Sequence, residues 1–139
     1  MEVGNTVFYN RLAYRSSEPE RGDVVAFYSE EFDCYMAKRI IGLPGDHIDF
    51  KQGKVKINGC DLDESAYIDK TIPTYALKSF IVPEGHYFLM GDDRMSSRDS
   101  RFWENPYISK DSISGKYLFQ LNFSFYYDIF MPLKNIIAA

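Results

Sequence analysis

The chain is poor in the residues that build metal centres and covalent frameworks, with two cysteines and two histidines among 139 residues. Cys34 and Cys60 form no C-x-x-C and no Cys/His cluster, so neither a zinc site nor a disulfide framework is indicated, and a single bridge between them stays open. His47 and His86 stand apart, each beside a turn or strand, and read as surface or edge residues with no metal-ligand spacing. Lys/Arg runs are missing too. With a formal charge of -4 and a pI near 5.1, this argues against an electrostatic nucleic-acid binder. No stretch reaches the roughly 18 apolar residues of a membrane-spanning helix, and Met1 is not followed by a secretion signal. Nor is there an internal repeat or a low-complexity tract. The expectation is a soluble protein, or a soluble fragment of a longer one.

What is abundant is aromatic: 11 Tyr and 11 Phe, 17% aromatic in all, a composition that favours β structure or a membrane-facing surface. The length fits one domain that buries roughly two thirds of its unfolded surface. Strands are expected at residues 5–9, 24–28, around Lys38, at 46–50, 54–57, 77–82 and 86–90, and at 116–125. Asn58-Gly59 is a hairpin turn because both residues tolerate positive φ, so 46–57 reads as a small β-ribbon. Residues 60–76 have no clear period and read as a loop over the core. The class expected is all-β, built from antiparallel sheets. In the aromatic tail, 117–131, alternation supports a core-facing strand, with a surface resting in a bilayer interface as the alternative. Ile136-Ile137-Ala138-Ala139 is too short to anchor anything.

One stretch organises the rest: Tyr35-Met36-Ala37-Lys38-Arg39-Ile40-Ile41-Gly42-Leu43-Pro44-Gly45-Asp46. Alternation in a strand places Met36, Lys38 and Ile40 on one face and Ala37, Arg39 and Ile41 on the other. An ammonium held against Met and Ile is desolvated, which lowers its pKa from about 10.4. Reaching roughly 7 to 8, where a neutral amine can take a proton, costs about 3 to 4 kcal/mol and requires a dedicated pocket. From this stretch alone the favoured reading is the plainer one, in which Lys38 snorkels to the surface, as most lysines beside apolar residues do, and Gly42–Asp46 is merely a turn.

The second stretch runs from Val82 through Gly91-Asp92-Asp93-Arg94-Met95-Ser96-Ser97-Arg98-Asp99-Ser100-Arg101. Together the two resemble the paired boxes of bacterial type I signal peptidases, K-R-x-x-G-L-P-G-D and G-D-N-R-x-x-S-x-D-S-R. Earlier segments, Gly4-Asn5-Thr6-Val7-Phe8, Leu12-Ala13-Tyr14-Arg15 and Pro19 to Phe27, follow the same order, so the likeness runs from the first residues to about Tyr117. It departs at Asp93, where asparagine is common, and at Glu104, where glycine commonly follows the tryptophan.

The resemblance implies the signal-peptidase catalytic core at about 1–48 and 77–125, with the ribbon and loop of 49–76 as an insertion, in a single domain over 1–139. It implies Lys38 as general base and Ser97 as the hydroxyl that orients its amine. Tyr35, Met36 and Ala37 match positions that line the substrate cleft, and an extended peptide can pair with such an edge. Arg39, Asp92, Asp99 and Arg101 are implied as structural support, Asp99 pairing with Arg101 and Asp92 reaching Arg39. The family's nucleophile, the serine of an S-M-x-P-T box, would lie ahead of residue 1, so these residues by themselves are expected to be inactive. No cofactor and no metal are implied. The implied partners are signal peptides of preproteins, with small residues one and three before the cut, and a membrane lipid surface, not nucleic acid. The implied location is the plasma membrane, catalytic domain on the extracytoplasmic side. Two other readings are carried: a non-catalytic relative that binds secreted or pilin precursors, and a self-cleaving Ser/Lys relative of the SOS-response repressors, which the long boxes and the missing DNA-binding half count against.

Overall fold

The computed structural model describes residues 5–122 and 136–138. Eleven strands form two sheets, and among the described residues there is no α-helix, only a 3₁₀ turn at Lys110–Ser112. The strands are β1 Asn5–Asn10, β2 Val24–Ser29, β3 Cys34–Gly42, β4 His47–Lys51, β5 Lys54–Ile57, β6 Cys60–Asp61, β7 Phe80–Ile81, β8 His86–Met90, β9 Tyr107–Ser109, β10 Ile113–Asn122 and β11 Ile136–Ala138. The larger sheet has the order β1-β10-β2-β3-β8-β9, with β11 added to β3; the smaller has the order β6-β5-β4-β7. All described ladders are antiparallel except that of β11 on β3. The fold is thus all-β, as the sequence leads one to expect.

Period-two alternation explains how two cores form from one set of strands. On β8, Tyr87 and Leu89 enter one cluster with Val25, Phe27, Met36, Ile40 and Trp103. The intervening Phe88 and Met90 enter the other, with Ile41, Ile48, Val55, Ile57, Phe80 and Val82, which joins the smaller sheet to the back of β3 and β8. The sheets approach closely at Gly42, where a Cβ would lie 2.5 Å from Ile48 Cδ1 and 2.9 Å from Phe88 Cβ.

The ribbon expected at 46–57 is extended into four strands. Gln52 and Gly53 turn β4 into β5, and Asn58 and Gly59, both at positive φ, turn β5 into β6. A short strand, Cys60–Asp61, therefore lies within the stretch read as loop, because the Asn58-Gly59 turn carries the chain back along β5. Of 77–82 only Phe80–Ile81 pairs, since Leu77 is 97% exposed and has no strand beside it to cover it. Strands β9 and β11 were not expected. Cys34 and Cys60 are both free thiols. Most of the aromatic tail, 123–131, lies outside the described residues.

Candidate active site

Among the described residues Lys38 is the one lysine that is buried, 4% exposed, midway along β3 with Met36 and Ile40 on its own face. Val25 of β2 stands opposite it in the ladder. Its surroundings are those of the apolar cluster that holds Val25, Met36 and Ile40. Burial pushes its pKa down from 10.5 to about 8, with the Arg101 guanidinium acting in the same direction and the Asp99 and Asp92 carboxylates opposing. The amine does not snorkel. Its Nζ donates to Ser97 Oγ at 2.9 Å, across 59 residues of sequence.

Ser97 is carried by the loop that follows β8, and the loop is fixed by buried charge. Arg94 N–H bonds to Asp92 O at 2.9 Å and Ser97 N–H to Asp93 O at 2.8 Å, forming a tight turn. Beyond it, Asp99 is fully buried and accepts from Arg101 Nε and Nη2, both at 2.8 Å, and from the Gly91 N–H at 3.0 Å. Arg101 Nη2 also reaches Arg94 O at 3.2 Å, so the pair closes the loop onto itself. Ser100 exchanges bonds with Leu89 of β8, donating its N–H at 3.0 Å and accepting at Oγ at 2.9 Å. The nearby hydroxyls of Ser96 and Ser100 are thus engaged elsewhere, Ser96 with Asp93 at 2.5 Å.

Arg39, on the opposite face of β3 from Lys38, grips Asp92 with two bonds of 2.8 and 2.7 Å, donates to Gly22 O at 2.7 Å and lies 4.1 Å from the Tyr67 ring centroid. The Asp92 carboxylate holds the guanidinium pKa up. With Asp92 taken by an arginine and Asp93 by Ser96, these two aspartates stand in ion-pair and hydrogen-bond roles. Tyr35, Met36 and Ala37 immediately precede Lys38, and β11 pairs with all three.

Two clusters escaped the sequence reading. The Arg94 side chain has no exposure and is held by both Glu64 oxygens, at 3.0 and 2.6 Å, by Thr74 Oγ1 at 2.9 Å and by Gly91 O at 2.9 Å. Arg21 bridges Ile41 O and Asp46, at 2.8 and 2.6 Å, while Asp46 accepts from the Leu43 N–H at 2.8 Å and from Asn58 Nδ2 at 3.0 Å, which fixes the turn after β3. An arginine three places after Gly91, inside a box otherwise read for its serine, was the available signal for the first cluster.

A family model described as signal peptidase, peptidase S26, matches residues 1–122. Among curated proteins, the probable signal peptidase I-2 of Synechocystis sp. is 34% identical over 122 residues, an alignment covering 84% of this chain and 54% of that protein. Signal peptidase IB of Staphylococcus aureus is 34% identical over 136 residues, covering 86% of this chain and 70% of that protein. The chain therefore spans about half the length of the Synechocystis relative. A solved structure of a signal peptidase I from Enterococcus faecalis is similar with a TM-score of 0.58 at 32% identity, covering 72% of this chain and 97% of that one.

Proposed function

The chain belongs to the signal peptidase family, peptidase S26, as a type I signal peptidase domain, and we propose that it serves the removal of N-terminal signal peptides from secreted preproteins by a Ser/Lys mechanism. The observation that carries the reading is a buried lysine amine, with a pKa near 8, bonded at 2.9 Å to a serine hydroxyl. A neutral amine so placed takes the proton of an attacking serine, then gives it to the leaving amine as the acyl-enzyme forms; water later releases the acyl group with the same lysine as base. Ser97 holds the amine toward the reaction and is not itself the nucleophile. In the family the resemblance points to, the attacking serine is that of an S-M-x-P-T box, a motif residues 1–139 do not contain.

Substrate pairs as an extended strand along Tyr35, Met36 and Ala37 and delivers the scissile bond to Lys38. Shallow apolar pockets then favour small residues one and three before the cut. Arg39, Asp92, Asp99 and Arg101 support the two stretches that carry Lys38 and Ser97. Residues 49–76, which include the hairpin of β5 and β6, are an insertion on the catalytic core of about 1–48 and 77–125. Phe8, Leu12, Leu118 and Phe119, all exposed, suit an apolar surface against lipid, at the outer face of the plasma membrane where preproteins emerge.

The test is mass spectrometry of a preprotein with an Ala-x-Ala site, incubated with protein extended upstream through an S-M-x-P-T segment, beside its Lys38→Ala form. Cleavage after Ala-x-Ala by the unmutated form alone is the expected result. Cleavage by both overturns the role of Lys38, and cleavage by neither folded form, in detergent, favours a non-catalytic relative that binds secreted or pilin precursors.

A further inference from the structure

Strand β8 pairs with β3 only from Arg39 onward, and leaves the β3 edge open at Tyr35–Ala37. In this structure that opening is filled. Strand β11 adds to it in parallel, with Ile136 opposite Tyr35, Ile137 opposite Met36 and Ala138 opposite Ala37, so its direction is toward Lys38. The same segment also lies close to β1. It is therefore bracketed by the strand that carries Lys38 and by the first strand of the described chain.

We propose that Ile136–Ala138 is an internal peptide ligand that covers the substrate edge and must leave before a preprotein strand can enter. The proposal rests on assigning Tyr35–Ala37 to substrate. Three features favour this occupant. Its residues are uncharged and two of the three are β-branched, a composition that suits an extended strand. Its pairing is only three residues long and parallel, a weak ladder that a longer peptide can displace. And it is tethered: 13 residues separate Asn122 from Ile136, and a short link of this kind presents its end at an effective concentration on the order of millimolar. A free peptide has to outcompete that.

The test compares residues 1–139 with the Ile137→Pro form, since proline removes a ladder donor and cannot hold a central pairing. The probe is a fluorescein-labelled peptide ending in Ala-x-Ala. Amide exchange is read by NMR at Tyr35–Ala37, with Ile40 and Leu89 reporting that the β3–β8 ladder is intact. The variant is expected to exchange about tenfold faster within Tyr35–Ala37, unchanged at the controls, and to bind the peptide about tenfold more tightly, because affinity scales with the open fraction. The double variant Ile136→Ser/Ile137→Ser, which retains the backbone donors, is expected to move both readouts in the same direction. Equal exchange and equal affinity in all forms overturn the proposal. Faster exchange in the variants with no peptide bound by any form keeps the internal strand but removes the substrate assignment, so the two failures are told apart.

Discussion

At the scale of single residues, the chemistry reduces to what burial does to one amine. An ammonium 4% exposed among apolar side chains has lost most of its hydration, and its pKa falls to about 8. The same displacement is a stability statement. Between pH 8 and 10.5 the unfolded chain holds more protons than the folded one, so stability rises with pH across that window, and below it the full penalty of about 3 kcal/mol is present. Lys38→Met is expected to raise stability at pH 7 by up to about 3 kcal/mol and to flatten the rise above pH 8, read by urea unfolding at several pH values. No gain at pH 7 speaks against a desolvated amine. Ser97→Ala, in protein that carries the upstream serine, is expected to lower kcat about a hundredfold, the lower end of what positioned proton transfer contributes. Ser97→Thr keeps the hydroxyl and is expected to recover part of the loss, which a role in loop packing alone does not predict.

At the scale of elements, much was legible because alternation is local. The facing of Met36, Lys38 and Ile40 against Ala37, Arg39 and Ile41 follows from strand geometry, and the Asn58-Gly59 turn follows from two residues that tolerate positive φ. The bond between Lys38 and Ser97 was anticipated from a family resemblance; nothing local in either stretch joins them across 59 residues. What escaped were the elements whose existence depends on a distant partner. Strand β9 needs β8 beside it, β11 needs the open part of β3, and Leu77–Ser79 precede the paired Phe80–Ile81 without a partner strand of their own. Arg94 escaped for the same reason, since a guanidinium is buried only where a carboxylate such as Glu64, 30 residues away, arrives to meet it. Glu64→Ala leaves that buried charge without its counter-ion and is expected to cost about 3–5 kcal/mol in urea unfolding, with Glu64→Gln milder. A packing constraint of similar origin lies at Gly115 of β10, where a Cβ would stand 2.4 Å from Asn10 O of β1. Because that obstacle is backbone, Gly115→Ala is expected to destabilise by about 1–3 kcal/mol, and a change under a few tenths contradicts the close approach of these strands.

At the scale of the whole molecule, the larger sheet places the Lys38 side chain beside an apolar cluster, next to the Tyr35–Ala37 edge on which β11 pairs. The outer surface has its own pattern: Phe8 and Phe119 stack with centroids 4.8 Å apart while 40% and 49% exposed. If this patch meets lipid, Phe8→Ser with Phe119→Ser is expected to lower partitioning into phosphatidylcholine vesicles about tenfold, as for the loss of two half-buried aromatic side chains. Unchanged partitioning removes the patch from the membrane surface. The central claim, that the Lys38 amine is the base of a Ser/Lys peptidase, meets its most direct test in the pH dependence of kcat/KM for preprotein cleavage by the upstream-extended protein. The account predicts a single rising limb that levels near pH 8, the value burial gives Lys38, and its disappearance with all cleavage in Lys38→Ala. A limb near 10.5, or one that survives in Lys38→Ala, contradicts it.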